Sequence, residues 1–99
     1  MNVTRKQNGK EILFIIEGNI DIATAPVLHE KVCGDLEGIT SLILDFEKVT
    51  YISSAGLRVL LAAYKIMSAQ GSMVIRKVND DVMDVFSLTG FDSFLTIEN

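Results

Sequence analysis

The feature that most limits the folds open to this chain is a repeated change of apolar period. Segments that alternate apolar and polar residues give way to segments that repeat every three to four residues, and then alternate again. The stretch GITSLILDFEKV sets Leu42, Leu44 and Phe46 against Ile43 and Asp45, as a strand does. Beyond it, Leu57, Leu60, Leu61 and Tyr64 recur at helical spacing, with Arg58, Ala62, Lys65 and Ala69 on the opposite side. A chain that keeps making this change must lay helices over a sheet.

The remaining elements follow from the same reading. Residues 2 to 6 and 11 to 17 form an expected antiparallel pair about Asn8-Gly9, where both residues tolerate the positive φ of a tight hairpin turn. EILFIIEG is apolar on both pleat faces, as expected of a central strand. GNIDIATAP then breaks the pattern. Thr24 suits a helix cap and Pro26 an early turn that needs no donor, and Ala25, Leu28, Val32 and Leu36 form the helix's buried stripe. SMVIRKV supplies a fourth strand. NDDVMDVFSLTG supplies a third helix, capped by Asn79 or Asp80, with Val82, Val85, Phe86 and Thr89 inward and Gly90 at its end. FDSFLTIEN closes the chain as a short strand. The order ββαβαβαβ with short connections predicts a single α/β domain over residues 1–99. It is built on one mixed sheet of about five strands with right-handed crossovers and helices packed on it.

Composition excludes several classes of function. Nine basic and thirteen acidic side chains give a net charge of -4, with no basic cluster, so direct nucleic-acid binding is not expected. The single cysteine, Cys33, forms no internal disulfide and no Cys-rich zinc site, which fits a reducing cytoplasmic setting. No apolar run approaches the roughly 18 residues of a membrane span. The start MNVTRKQNGKE lacks a signal-peptide core, so no targeting segment is expected.

The residues with chemical potential gather in YISSAGLR. A strand, a short turn, a serine and then a helix bring unpaired N–H groups and the helix dipole to one point, where an anion is stabilised. A phosphate on a serine in that first turn would accept those N–H bonds and add about -1.5 to -2 charges to an exposed corner. Ala55 and Gly56 keep the corner low enough for another protein's active site to reach the hydroxyl. The alternative is plain capping, because serine is among the preferred N-cap residues and contributes about 1 kcal/mol there. The two roles are compatible.

Intrinsic catalysis is not expected. Ile52 stands where a G-x-S-x-G elbow centred on Ser54 needs glycine, and Gly56 and Leu57 stand where Ser-x-x-Lys needs lysine. The one histidine, His29, reads as a boundary residue of the first helix, and with one cysteine it makes no metal site. No phosphate-binding P-loop is present, and no cofactor is expected. Asp21 reads as a turn or capping acid, or as a polar contact beside the serines if the two loops share one end of the sheet.

Together, VTYISSAGLRVLLAAYK, EGNIDIATAP and DVMDVFSLTGFDSFLTI resemble the STAS domain family, specifically its free-standing bacterial anti-sigma-factor antagonists, over essentially the whole chain. In that family a D-S-[ST]-G-L motif opens a helix. Matching its glycine and leucine to Gly56 and Leu57 places the phosphoacceptor on Ser54 and the next small residue on Ala55. Ser53 falls where the family has aspartate, a departure that makes it the alternative acceptor. The family's G-x-[LI]-D loop matches Gly18, Ile20 and Asp21. The resemblance implies that Asp21, Ser53, Ala55, Gly56, Leu57 and Arg58 face a partner. It also implies a chain that ends soon after its last strand, without the extra C-terminal helix of some relatives.

What the resemblance implies about function is a partner switch. The unphosphorylated domain binds an anti-sigma factor that is also a serine kinase, and a sigma factor is released. Phosphorylation by that kinase ends the binding, and a metal-dependent serine phosphatase restores it. The chain is then a substrate and ligand rather than an enzyme, and the ATP and Mg²⁺ belong to the kinase. The alternative within the same family is a soluble STAS interaction module in a stress-signalling or lipid-transport complex, without sigma regulation.

Overall fold

The computed structural model describes residues 1–99. Strand β1 (Asn2–Asn8) and strand β2 (Glu11–Ile20) form the hairpin, with Asn8 paired to Glu11. The turn is therefore Gly9-Lys10, one residue later than the sequence suggests. Of these residues only Gly9 takes positive φ, at +62°, the arrangement of a turn with glycine at its first central position. Helix α1 (Ala25–Cys33), strand β3 (Ser41–Ile52), helix α2 (Ser54–Ser68), strand β4 (Ser72–Arg76), helix α3 (Asp80–Thr89) and strand β5 (Thr96–Glu98) follow. A short 3-10 turn, Phe91–Ser93, precedes β5.

The sheet order is β1-β2-β3-β4-β5, with β1 antiparallel to β2 and the rest parallel. Strand β2 is interior, and the centre belongs to β3. Each helix links a strand to its immediate neighbour in one direction across the sheet. Right-handed crossovers then bring the helices to one face. That face carries the core: Ile12, Phe14 and Ile16 of β2, Leu42, Leu44 and Phe46 of β3, and Met73 and Ile75 of β4 are buried. Leu13, Ile15, Ile43 and Val74 point the other way and are half-buried. Asp45, also on this second face, is the one buried charged residue; it pairs with Arg76 at 3.2 Å and accepts from the Glu47 N–H at 3.0 Å.

Both strands leading to the serines run further than the sequence pattern indicates. GNI does not break β2: register shifts between Ile15 and Glu17, and between Gly18 and Asn19, let pairing continue to Ile20, opposite Ile52 of β3. Alternation of apolar residues hides such a bulge, because one extra residue changes the phase.

The helices also depart from the expected stripes. Leu36 is buried, but beyond the end of α1, which stops at Cys33. In α2 the buried side comprises Gly56, Leu57, Val59, Leu60, Ala63 and Met67, whereas Leu61 and Tyr64 lie at its edges. AGLRVLLAAYKIM is apolar on so much of its circumference that spacing alone admits either orientation. Tyr64 meets Phe94 edge to face, with ring centroids 4.9 Å apart. In α3, Val82 and Phe86 are buried, but Thr89 is exposed and donates its hydroxyl hydrogen to the Val85 carbonyl. Asn79 is the cap of that helix, accepting from the Val82 N–H at 2.8 Å.

Candidate functional site

Parallel strands put the three helix N-termini at one end of the sheet, beyond the C-terminal ends of β2, β3 and β4. The last pair between β2 and β3 is Ile20 with Ile52, and the Ser53 N–H donates to the Ile20 carbonyl at 2.8 Å. Asp21 and Ser53 are the next residues on each strand. Continued pairing therefore sets the EGNID loop beside the serines, as the polar-contact reading of Asp21 requires.

Asp21 also organises its own loop. Its Oδ1 accepts from the backbone N–H groups of Ala23 at 2.9 Å and Thr24 at 3.0 Å. The Thr24 hydroxyl accepts from the Asp21 N–H at 2.9 Å and donates to the Asn19 carbonyl at 2.8 Å. Thr24 was the expected cap of α1, but it sits in helical conformation with no capping bond of its own. The acceptor is Asp21, because a carboxylate reaches back over two donors at once. The Thr24 N–H, with the Ala23 N–H and the Thr24 hydroxyl, holds the Asp21 carboxyl below the usual aspartate range, against an opposing effect of desolvation.

At the start of α2 the two serines separate. Ser53 is the N-cap, with φ -94° and ψ 175°, and its Oγ accepts from the Gly56 N–H at 3.3 Å. Ser54 is the first helical residue and is exposed, and its hydroxyl has no intramolecular hydrogen-bond partner. The first turn carries no acidic side chain. Ala55 is half-buried, and Arg58 is exposed one turn below Ser54.

Gly56 and Leu57, both expected to face a partner, lie in the interior. Leu57 is only 6% exposed. A Cβ on Gly56 would fall 2.6 Å from Ile20 Cγ2 and 2.7 Å from Ile52 Cγ1. Glycine thus lets the helix mouth descend onto the ends of β2 and β3, and the pair fix the height of Ser54 rather than touching a visitor. Sequence reasoning missed Ile22, which is 82% exposed at the tip of the Asp21 loop. Its placement in a non-periodic turn was the available signal.

A groove of about 280 Å³ runs between α1 and α2 at this corner, bordered by Ile22, His29, Ala55 and Arg58. The largest surface groove, about 450 Å³, lies elsewhere, between β1 and α1, on Val3, Phe14 and Val27. Cys33 is half-buried, and burial pushes its thiol up, away from a reactive thiolate. No group of three or more His, Cys, Asp or Glu side chains converges as a metal site would require, and no helix is long and apolar enough to cross a membrane.

Comparison with known proteins agrees with this geometry. The family model for the STAS domain matches residues 2–99. The anti-sigma-B factor antagonist of Bacillus subtilis (strain 168) is 33% identical over 98 residues, covering 98% of this chain and 90% of that protein. A crystal structure of an anti-sigma factor antagonist from Mycobacterium paratuberculosis superimposes with a TM-score of 0.88 at 20% identity, over 98% of this chain and 84% of that one. SpoIIAA of Bacillus shares the fold in both of its forms. The TM-score is 0.78 for the unphosphorylated form, at 14% identity over 99% of this chain and 88% of that one. For the phosphorylated form it is 0.76, at 15% identity over 99% of this chain and 92% of that one. The serine-capped strand-to-helix junction, the five-stranded sheet and the match along the whole sequence lead to one conclusion: the chain belongs to the STAS domain family.

Proposed function

We propose that this protein is an anti-sigma factor antagonist whose binding is switched by phosphorylation of Ser54. The observation that carries the reading is the division of labour at the junction: Ser53 is engaged as the cap, while Ser54 offers a free, exposed hydroxyl in the first turn of α2. Similarity to the anti-sigma-B factor antagonist of Bacillus subtilis over nearly the full length supports the choice of partner class.

The chemistry follows from that position. An anti-sigma factor with serine kinase activity docks on the corner bearing Asp21, Ser53, Ala55 and Arg58, and a sigma factor is set free. The kinase, supplying ATP and Mg²⁺, transfers a phosphoryl group to the Ser54 oxygen. The phosphate accepts hydrogen bonds from the open N–H groups of the first turn and gains roughly 0.3–1 kcal/mol from the helix dipole. The domain therefore stays folded while the corner gains about -1.5 to -2 charges and loses its partner. A metal-dependent serine phosphatase resets the switch, and the cycle runs in the cytoplasm without direct contact to nucleic acid or membrane.

The test is phosphosite mapping by mass spectrometry after purified chain is incubated with ATP and each anti-sigma factor kinase encoded in the same genome. Modification of Ser54 is expected. Modification of Ser53 alone, or of neither serine by any of these kinases, overturns the assignment.

A further inference from the structure

We propose that the free edge of β1 is a further interaction surface, which takes an acidic extended segment of another protein as an added antiparallel strand. The edge lies apart from the serine junction, and the proposal does not depend on the function proposed above.

The backbone supplies the template. The sheet has two edges, β1 with seven residues and β5 with three. The Ser41 N–H of β3 donates to the Lys10 carbonyl, so Lys10 faces β3 and, by alternation, Glu11 faces β1. Glu11 and Asn8 are therefore a hydrogen-bonded pair, as are Leu13 with Lys6 and Ile15 with Thr4. The same alternation turns the N–H and C=O groups of Val3, Arg5 and Gln7 outward. Pairing along β1 is continuous, the strand contains no proline, and no strand lies beyond it. An edge of this kind, neither bulged nor covered, is open to another strand.

Side chains give the added strand two different faces. Val3 and Arg5 lie opposite Ile16 and Phe14, on the helix side, where the groove of about 450 Å³ runs between β1 and α1. Val27 lines that groove and is 45% exposed, so an aliphatic residue standing beside Val3 removes apolar surface from water. On the other side of the sheet, Thr4 and Lys6 lie opposite Ile15 and Leu13. Lys6 is exposed and belongs to none of the four ion pairs. A strand that alternates aliphatic and acidic residues meets both faces.

Charge selects the occupant. Residues 1–10 hold three of the nine basic side chains and none of the thirteen acidic ones, so this segment carries +3 and the remaining 89 residues carry -7. The edge is thus cationic on an acidic protein, which attracts an acidic strand and rejects a basic one. A second copy of β1 is disfavoured by the same charges. Twofold pairing about Arg5 sets one arginine directly opposite the other, and like charges so placed destabilise a strand pair.

The experiment titrates the full ¹⁵N-labelled chain with two N-acetylated, C-amidated heptapeptides, Thr-Val-Glu-Val-Glu-Val-Thr and the same sequence with lysine for glutamate. The acidic peptide is expected to shift the amide signals of residues 3 to 7 saturably and to slow hydrogen exchange at Val3, Arg5 and Gln7. The basic peptide is not. Lys6→Glu is expected to weaken the acidic peptide about threefold or more and to favour the basic one. In the expected register the valine N–H groups bond to β1 and the glutamate N–H groups point away, so N-methylation of the valines abolishes binding and N-methylation of the glutamates does not. Equal responses to both peptides, shifts elsewhere or none, or binding that survives valine methylation overturn the proposal. Slowed exchange at the same three amides on raising protein concentration alone identifies a second copy as the occupant and also overturns it.

Discussion

Gly56 of α2 lies so close to Ile20 of β2 that a methyl group on the glycine would fall 2.6 Å from Ile20 Cγ2. This approach brings the first turn of α2 down onto the ends of β2 and β3. The mouth of the helix is thus part of the core, although Ser54 just before it is open to solvent.

Gly56→Ala is therefore expected to destabilise the fold. Overpacking costs typically 1–3 kcal/mol, and the better helix propensity of alanine returns about 1 kcal/mol. A net loss of up to about 2 kcal/mol is expected in urea denaturation. A stabilised variant would show that the helix can rise freely, and that the height of Ser54 is not fixed by this contact.

The two serines should separate in stability as they do in geometry. Ser53→Ala removes the acceptor of the Gly56 N–H and is expected to cost about 0.5–1 kcal/mol, the lower part of the capping range, because that bond is 3.3 Å long. Ser54→Ala breaks no intramolecular bond and is expected to stay within about 0.5 kcal/mol of the parent. Thermal melts of both variants at one pH check the pair; the reverse order contradicts the assignment of cap and free hydroxyl.

Asp21 is expected to titrate below an ordinary aspartate, because the Thr24 N–H, the Ala23 N–H and the Thr24 hydroxyl favour its charged form. The folded state then binds its proton less readily than the unfolded chain. The contribution to stability is present above the unfolded value and is lost as pH falls through the lowered folded one. Carboxyl ¹³C titration by NMR measures this directly. Asp21→Asn should remove that part of the acid-induced loss and loosen the Ile22 turn; a midpoint at or above the ordinary aspartate value contradicts the loop geometry.

On the helix-free face, Asp45 is buried and its ion-pair partner Arg76 is partly exposed, whereas the Lys77 to Glu47 pair is exposed on both sides. Arg76→Ala removes the side-chain donor to Asp45 and leaves the buried carboxylate with the Glu47 N–H alone, and is expected to cost roughly 1–3 kcal/mol. Lys77→Ala should cost less than about 1 kcal/mol. Equal losses in denaturation would show that burial does not distinguish the two pairs.

Much of this was legible in the sequence where a residue's type and period agree. The order of elements, the mixed sheet and a cap at Asn79 or Asp80 follow from alternation, helical spacing and side-chain chemistry acting over a few positions. What escaped depends on contacts between distant segments. Extra residues in β3, between Asp45 and Lys48 and between Val49 and Tyr51, carry its pairing with β2 to Ile20, and only the match of the two strands reveals them. The buried side of α2 is chosen by the sheet below it, since Leu61 and Val59 are equally apolar in sequence but differ in burial. At the site, the motif likeness singled out Ser54, which the structure leaves exposed, and it treated Gly56 and Leu57 as surface. Their burial follows from the close approach to Ile20 and Ile52. Ile22 escaped because a turn has no period to violate.

The central claim is that one exposed hydroxyl, at Ser54, controls partner binding without altering the fold. Calorimetric titration of the anti-sigma factor with the unmodified chain and with the chain phosphorylated at Ser54 tests it most directly. The account predicts that phosphorylation weakens binding by more than roughly tenfold, about 1.4 kcal/mol, with the circular dichroism spectrum unchanged. Equal affinity of the two forms would contradict it.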